Sequence, residues 1–285
     1  MNKLTKEKRV QIIKALVEGN SLRATARMCD VAFNTVLKLL PEIGKACADY
    51  QDVVFRNLPC KKLQCDEIWS FCYAKEKNLP AELRGKIGFG SVWTWVAIDA
   101  QTKLVPSWLV GDRSAETART FMTDLAARLA NRVQLTTDGY KAYLVAVADA
   151  FDGVPIDYAM LVKIYNEPYG EGSEKRYSPG ECCGATKQEV KGDPDPKHIS
   201  TSYVERQNLT MRMSMRRFTR LTNAFSKKVE NHSCAIALHY MHYNFCRIHK
   251  SLRVTPAMEA SVTDHVWSIE EVAGLLEAVE KSAAA

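Results

Sequence analysis

The stretch QCDEIWSF at residues 64–71 sets two carboxylates, Asp66 and Glu67, inside a run otherwise suited to a buried strand. Burying an ionised carboxylate is costly unless it is paired, hydrogen-bonded or bound to a metal, so the stretch calls for a cation or another partner. Two further acids hold comparable positions. Asp138 closes the strand-like segment VQLTTDG, and Glu205 lies on the helical stretch SYVERQNLTMRMSMRRFTR. Carboxylates are hard oxygen ligands that suit Mg²⁺, an ion that also retains water. A pair of such ions can activate a water or a 3′-hydroxyl and neutralise the leaving oxygen of an in-line phosphoryl displacement. Successive strand residues point to opposite faces, so Asp66 and Glu67 are not expected to share one site, and Glu67 is read as a neighbour. A strand-end acid taken alone is more often a turn or cap residue.

The elements that must position these acids belong to a chain of 285 residues, 46% hydrophobic and 25% charged, which excludes a disordered protein. No apolar run approaches the roughly 18 residues that span a bilayer, and the start MNKLTKEKRVQII lacks the apolar core of a secretory signal. The expected location is the cell interior, with no membrane partner. Nine cysteines without a CxxC pair signal neither a disulfide framework nor a zinc site, and no zinc is expected. Cys60, Cys65, Cys72, Cys182 and Cys183 read as small apolar fillers rather than metal ligands. Charge is concentrated: residues 200–253 hold ten Lys and Arg against two acids, and residues 1–60 hold ten against six. Two separated basic regions are the electrostatic footprint of a protein that touches nucleic acid in two places.

Apolar positions recur at helical spacing from Thr5 to Val17, and a Gly-based stop leads to Ser21 as an N-cap. A short helix to Met28, a turn through Cys29, Asp30 and Val31, and a third helix to Leu40 give the cadence of a helix-turn-helix. In it Ala26, Val31 and Val36 pack inward, leaving Arg27, Phe33, Asn34, Thr35 and Lys38 for a DNA groove. A further helical stretch, PEIGKACADYQDVVFRN, carries the boundary of this module. Beyond it KKLQCDEIWSFCYA, GKIGFGSVWTWVAIDA and KLVPSWLVGD read as three strands, with Trp93 and Trp95 sharing a face and packing in the core. A helix opened by Ser114, the strand ending at Asp138, a helix over 140–151 and the strand IDYAMLVKIY complete a mixed α/β sheet. Residues 166–200, rich in Gly, Pro and charge, read as an exposed insertion. Helices follow from Thr201, over 228–245 and over 268–282. Asp99 and Asp112 fall in turns.

In that order, CDEIWSF, TTDGYKAY and YVERQNLTMRMSMRRFTRLTNAFSKK resemble the three acidic blocks of DDE transposases of bacterial insertion sequences, closest to the insertion-sequence-one family. HYMHYNFCRIHKSLRVTPAMEA resembles the tail that follows in such enzymes. The resemblance covers about residues 60–260. It implies a ribonuclease-H-like mixed sheet with helices on both faces, preceded by a small all-α helix-turn-helix domain. The implied division is 1–55, 56–260 and a C-terminal helix over 261–285. Asp66, Asp138 and Glu205 are then the catalytic, metal-holding triad, served by Mg²⁺ with Mn²⁺ as a substitute. The implied activity is cleavage at transposon ends and transfer of the freed 3′-hydroxyl to target DNA. Two paired sites imply a homodimer or higher oligomer on double-stranded DNA, in a bacterial cytoplasm and nucleoid-associated when bound.

Helical spacing puts Asn208, Arg212, Arg216 and Thr219 near the Glu205 face, suited to a phosphodiester groove. With Arg220, Arg247 and His249 the first three form the expected DNA contacts of this region, and His242 and Asn244 join the same polar set by resemblance. Asp138 and Glu205 stand 67 residues apart, the 166–200 insertion making up the excess over related enzymes. The zinc-finger start of some relatives is missing, which leaves end recognition to the helix-turn-helix. Two other readings stay open: a nuclease of the same fold that cuts without joining, and a DNA-binding regulator using the helix-turn-helix alone.

Overall fold

The computed structural model describes residues 4–166, 180–219 and 223–284. Three helices open the chain, α1 (Lys6–Val17), α2 (Leu22–Met28) and α3 (Phe33–Val54). Thr5 and Ser21 cap the first two, their hydroxyls accepting from the Lys8 and Ala24 amides, which satisfies orphan donors of each first turn. The third helix departs from the sequence reading: it runs unbroken past Leu40, with Pro41 inside it. The buried stripe Val36, Leu39, Leu40, Ile43, Ala46 and Cys47 carries it through, since tertiary packing outweighs one missing backbone donor.

The rest of the chain builds the expected mixed α/β sheet. Strands β1 (Lys62–Cys72), β2 (Gly90–Asp99), β3 (Ser107–Gly111), β4 (Gln134–Asp138), β5 (Asp157–Tyr165) and β6 (Cys182–Lys191) lie in the order β3-β2-β1-β4-β5-β6. β1 pairs antiparallel with β2 along its length and parallel with β4 only from Lys62↔Gln134 to Cys65↔Thr137. The chain therefore leaves β1 toward one edge and returns on the other side, so β1 and β4 flank a switch in strand order, where crevices form beyond the carboxyl ends of parallel strands. β6 replaces part of the expected insertion. Nearly every one of its residues is exposed, so an edge strand solvated on both faces left no alternating pattern to read. Within that segment residues 167–179 lie outside the described residues, and a 3-10 turn over Pro196–His198 follows β6.

Helices cover both faces. On one, α4 (Ala115–Ala126) and α5 (Ala142–Ala150) pack Phe121 and Tyr143 against the buried Trp95. On the other lie α6 (Ser202–Ser214) and α7 (Val229–Met241), where Tyr240 stacks on Trp108 and donates to the Met211 sulfur. A π-helical turn over His242–Cys246, the short α8 (Pro256–Glu259) and α9 (Ile269–Ala284) end the chain. α3 packs on α7 and α9. Gly44 permits the closest part of that contact, because a Cβ there would sit 2.4 Å from the Cys234 Cβ. Cys60, Cys65 and Cys72 are buried as expected, whereas Cys182 and Cys183 are exposed on β6.

Candidate functional site

Asp66 is the first β1 residue past the last parallel pair with β4, and Asp138 ends β4 beside it. Each side chain offers one oxygen, together with Glu67, in a group lying within 4.8 Å of one another. The sequence reading of Glu67 as a neighbour outside the site is thereby corrected. Alternation does turn Glu67 to the other face, opposite Trp95 in register, but β4 stops at Asp138, and the three carboxylates meet around the open end of the strand.

Burial and nearby carboxylate charge raise all three carboxyl groups. Asp66 is pushed up to about 6 by burial and the Asp138 charge, and Glu67 to about 7 by the same two causes. Asp138 rises through burial, against the Tyr140 amide that donates to its Oδ1 at 3.0 Å. The compensation is thin. Arg113 reaches Glu67 at 3.1 Å and Asp138 at 3.9 Å, and Asn208 donates to Asp66 Oδ2 at 2.9 Å. Among the described residues the second oxygen of Glu67 is buried without a hydrogen-bond partner, as is the Tyr143 hydroxyl; that hydroxyl lies near enough to favour the ionised carboxyl, but without hydrogen-bond geometry. An orphaned carboxylate oxygen inside a crowd of carboxylates is a costly arrangement that a hard divalent cation relieves, and the all-oxygen donor set fits Mg²⁺ or Mn²⁺.

Glu205 lies close enough for its charge to raise Asp66 and Asp138, yet stands apart from the three-carboxylate group. Its partners are Lys163 on β5, 2.5 Å away, and the Thr201 hydroxyl. Burial alone would lower Lys163, but the hydrogen bond and charge of Glu205 hold it above its ordinary value. Gln64 fixes where this helix begins. Its side-chain oxygen accepts from the Tyr203 and Val204 amides at 2.8 and 3.2 Å, capping α6, whose own Thr201 makes no side-chain cap. Gln64 and Asp66 thus stitch α6 to β1 at two points on one strand face.

The expected DNA contacts separate into groups. Asn208 does share the Glu205 face, but it is 3% exposed and serves Asp66, because that face meets the sheet rather than solvent. α6 ends at Ser214, so Arg216 sits on the following 3-10 turn and Thr219 beyond it, off the helical row assumed for them. Arg212 is half-buried and Arg216 exposed; Arg220 lies outside the described residues. Asn244 is fully buried, exchanging hydrogen bonds with the Val105 backbone at 3.1 Å in each direction, and its packing excludes it from a DNA surface. Arg247 is exposed and His249 half-buried, lowered by burial and by the charge of Lys103. His242 is half-buried at the start of the π turn. Among the N-terminal residues Arg27, Asn34 and Lys38 are exposed, Thr35 is half-buried, and Phe33 is half-buried under the Arg23 guanidinium.

Sequence reasoning missed Arg113, Lys163 and Gln64. Lys163 could have been noticed as a charge within the apolar strand segment MLVKIY, and Gln64 as a polar residue on the Asp66 side of β1. Arg113 carries no comparable local signal. The Trp pair was half right: Trp95 is core, whereas Trp93 is half-buried with Arg113 over its ring.

No protein-family model and no curated protein matches the sequence. Solved structures similar in fold include a Mos1 transposase paired-end complex with left transposon end, at 12% identity and TM-score 0.25, over 55% of this chain and 60% of that one. A Mos1 strand transfer complex is similar at 13% identity and TM-score 0.25, over 84% and 78%. The Argonaute of Aquifex aeolicus follows at 10% and 0.29, over 64% of this chain and 28% of its own. This chain thus spans about three fifths of the first neighbour's length. At these values the neighbours assign neither a family nor an activity.

Proposed function

We propose that this protein is a divalent-metal-dependent DNA transposase of the DDE kind, built on a ribonuclease-H-like sheet. The observation that carries the reading is the convergence of Asp66, Glu67 and Asp138 at the carboxyl end of β4, with Glu205 facing them from α6. Asp66 and Asp138 would hold the metal, Glu205 completing the set on release from Lys163. When bound, a divalent cation supplies Lewis acidity and an activated oxygen nucleophile for in-line attack on a phosphodiester. Asn208 fixes the rotamer of Asp66, and the Tyr140 amide that of Asp138. Mg²⁺ is the proposed physiological ion. The exposed Arg27, Asn34 and Lys38 on α2 and α3 support a helix-turn-helix contact with transposon ends. Arg212, Arg216 and Arg247 extend the basic surface toward the target strand, in an assembly with one copy of the chain at each end.

The test is Mn²⁺-dependent nicking of supercoiled plasmid DNA, followed by a labelled-end assay for joined products. Nicking with joining is expected of the wild type, and neither of Asp138→Asn. Nicking without joining selects the same-fold nuclease. Duplex binding with no Mn²⁺ binding and no nicking selects the regulator.

A further inference from the structure

Arg113 stands out because both its backbone and its guanidinium are held by several contacts. The loop that carries it, between β3 and α4, is pinned: Trp95 Nε1 donates to the Asp112 carbonyl at 3.0 Å and the Tyr140 hydroxyl donates to the Arg113 carbonyl at 2.5 Å. Asp112 adds hydrogen bonds from the Ser114 amide and from the Ser114 and Thr117 hydroxyls. The guanidinium itself lies against two aromatic faces, with its central carbon 4.7 Å from the Trp93 ring centroid and 4.2 Å from that of Tyr140. Its Nε and Nη2 both reach the same Glu67 oxygen at 3.1 Å. Glu67 is the anchor, its side chain 1% exposed, while that of Arg113 stays 38% exposed. Among the described residues Nη1 has no hydrogen-bond partner, so part of the donor fork remains open beside Asp138, 3.9 Å from Nη2.

A merely structural ion pair needs no aromatic slot and no spare donors. A stacked, preorganised guanidinium with open N–H groups at the rim of a carboxylate cluster is a site for a phosphate-like anion, because the fork matches two oxygens of a phosphodiester and loses little entropy on binding. Donors fixed beforehand stabilise charge that develops during reaction without reorganising.

We infer that Arg113 is a catalytic residue which grips the reacting phosphodiester, and that Glu67 serves to aim it. The inference rests on the function proposed above and deepens it, assigning the substrate phosphate a contact that the three expected acids cannot make.

The experiment measures two quantities on Arg113→Met and Arg113→Lys: Mn²⁺ binding by electron paramagnetic resonance, and Mn²⁺-dependent nicking of supercoiled plasmid. Arg113→Met is expected to bind Mn²⁺ at least as tightly as wild type, since a competing positive charge is gone, while nicking falls about 100-fold. The loss should fall on kcat more than on KM. Arg113→Lys, lacking the planar fork, should recover less than about tenfold of that loss. Nicking by Arg113→Met within threefold of wild type overturns the assignment. So does loss of Mn²⁺ binding in both variants, which makes Arg113 a structural prop. A wild type that neither binds Mn²⁺ nor nicks overturns the proposed function itself, and is distinguished by that result.

Discussion

Two buried polar clusters in this molecule are built on opposite principles. Around Asn244 every group is matched: its amide exchanges bonds with the Val105 backbone and donates to Gln51 at 3.4 Å, while Gln51 donates to the Cys47 and Ala237 carbonyls. Around Asp138 the groups conflict, with three crowded carboxylates, an orphaned Glu67 oxygen and raised carboxyl groups on all three. The first cluster locks β2–β3 loop, α3 and the π turn together. The second spends stability on a charge pattern that only a ligand can complete. Satisfied polar networks specify a fold, and unsatisfied ones persist where the surrounding structure holds them for function.

The comparison breaks most directly at Asp138. Asp138→Asn should lower Mn²⁺-dependent nicking by on the order of 1000-fold while raising the metal-free melting temperature, because Asp66 and Glu67 lose a like charge. A drop in melting temperature measured by circular dichroism would show that the acids are not in conflict. The converse change is Asn244→Leu, which strands the Val105 amide and carbonyl. It should cost about 2–4 kcal/mol in urea unfolding and leave Mn²⁺ affinity of the folded protein unchanged.

Titration sharpens the contrast further. Asp66 has a folded-state value of about 6, above its ordinary 3.8, so the folded chain keeps a proton the unfolded chain releases. Its contribution to stability therefore falls as pH rises from about 4 to about 6, and the advantage of Asp66→Asn over wild type should grow across that window without metal. His232 slopes the other way. Burial, then the Arg217 charge, lowers it to about 3 from 6.5, its two nitrogens meeting the Ser70 and Ser226 hydroxyls. Stability from this residue is lost as pH falls from about 6.5 to about 3, and His232→Gln should flatten that limb in urea titrations. The smallest effect belongs to the exposed Lys38. Lys38→Ala should leave stability within about 0.5 kcal/mol and reduce the slope of log affinity for duplex DNA against log salt by about one unit, read by fluorescence anisotropy.

The legible parts of the fold were those with at least one buried face. Strands β1 to β5 and helix α4 announced themselves through β-branched and aromatic content or helical spacing, and Ser21 and Ser114 marked helix starts by their capping hydroxyls. β6 was hidden because neither of its faces is buried. Among site residues, Asp66 and Asp138 were recognisable as acids at strand positions, and Glu205 by the block around it. Asn208 was placed on the right helical face but given the wrong neighbour, since spacing orders residues around a helix without saying what that face meets.

Residue type and order by themselves determined that carboxylates stand in a strand, at a strand end and on a later helix, because local periodicity is written in the chain. Only the tertiary structure decided that Glu67 joins Asp66, that Glu205 is drawn to Lys163, and that Trp93 and Tyr140 form a slot for Arg113. These outcomes depend on where β4 stops relative to β1 and on how separate strands and helices face one another. Such distances arise from packing the whole sheet, and no window of neighbouring residues contains them.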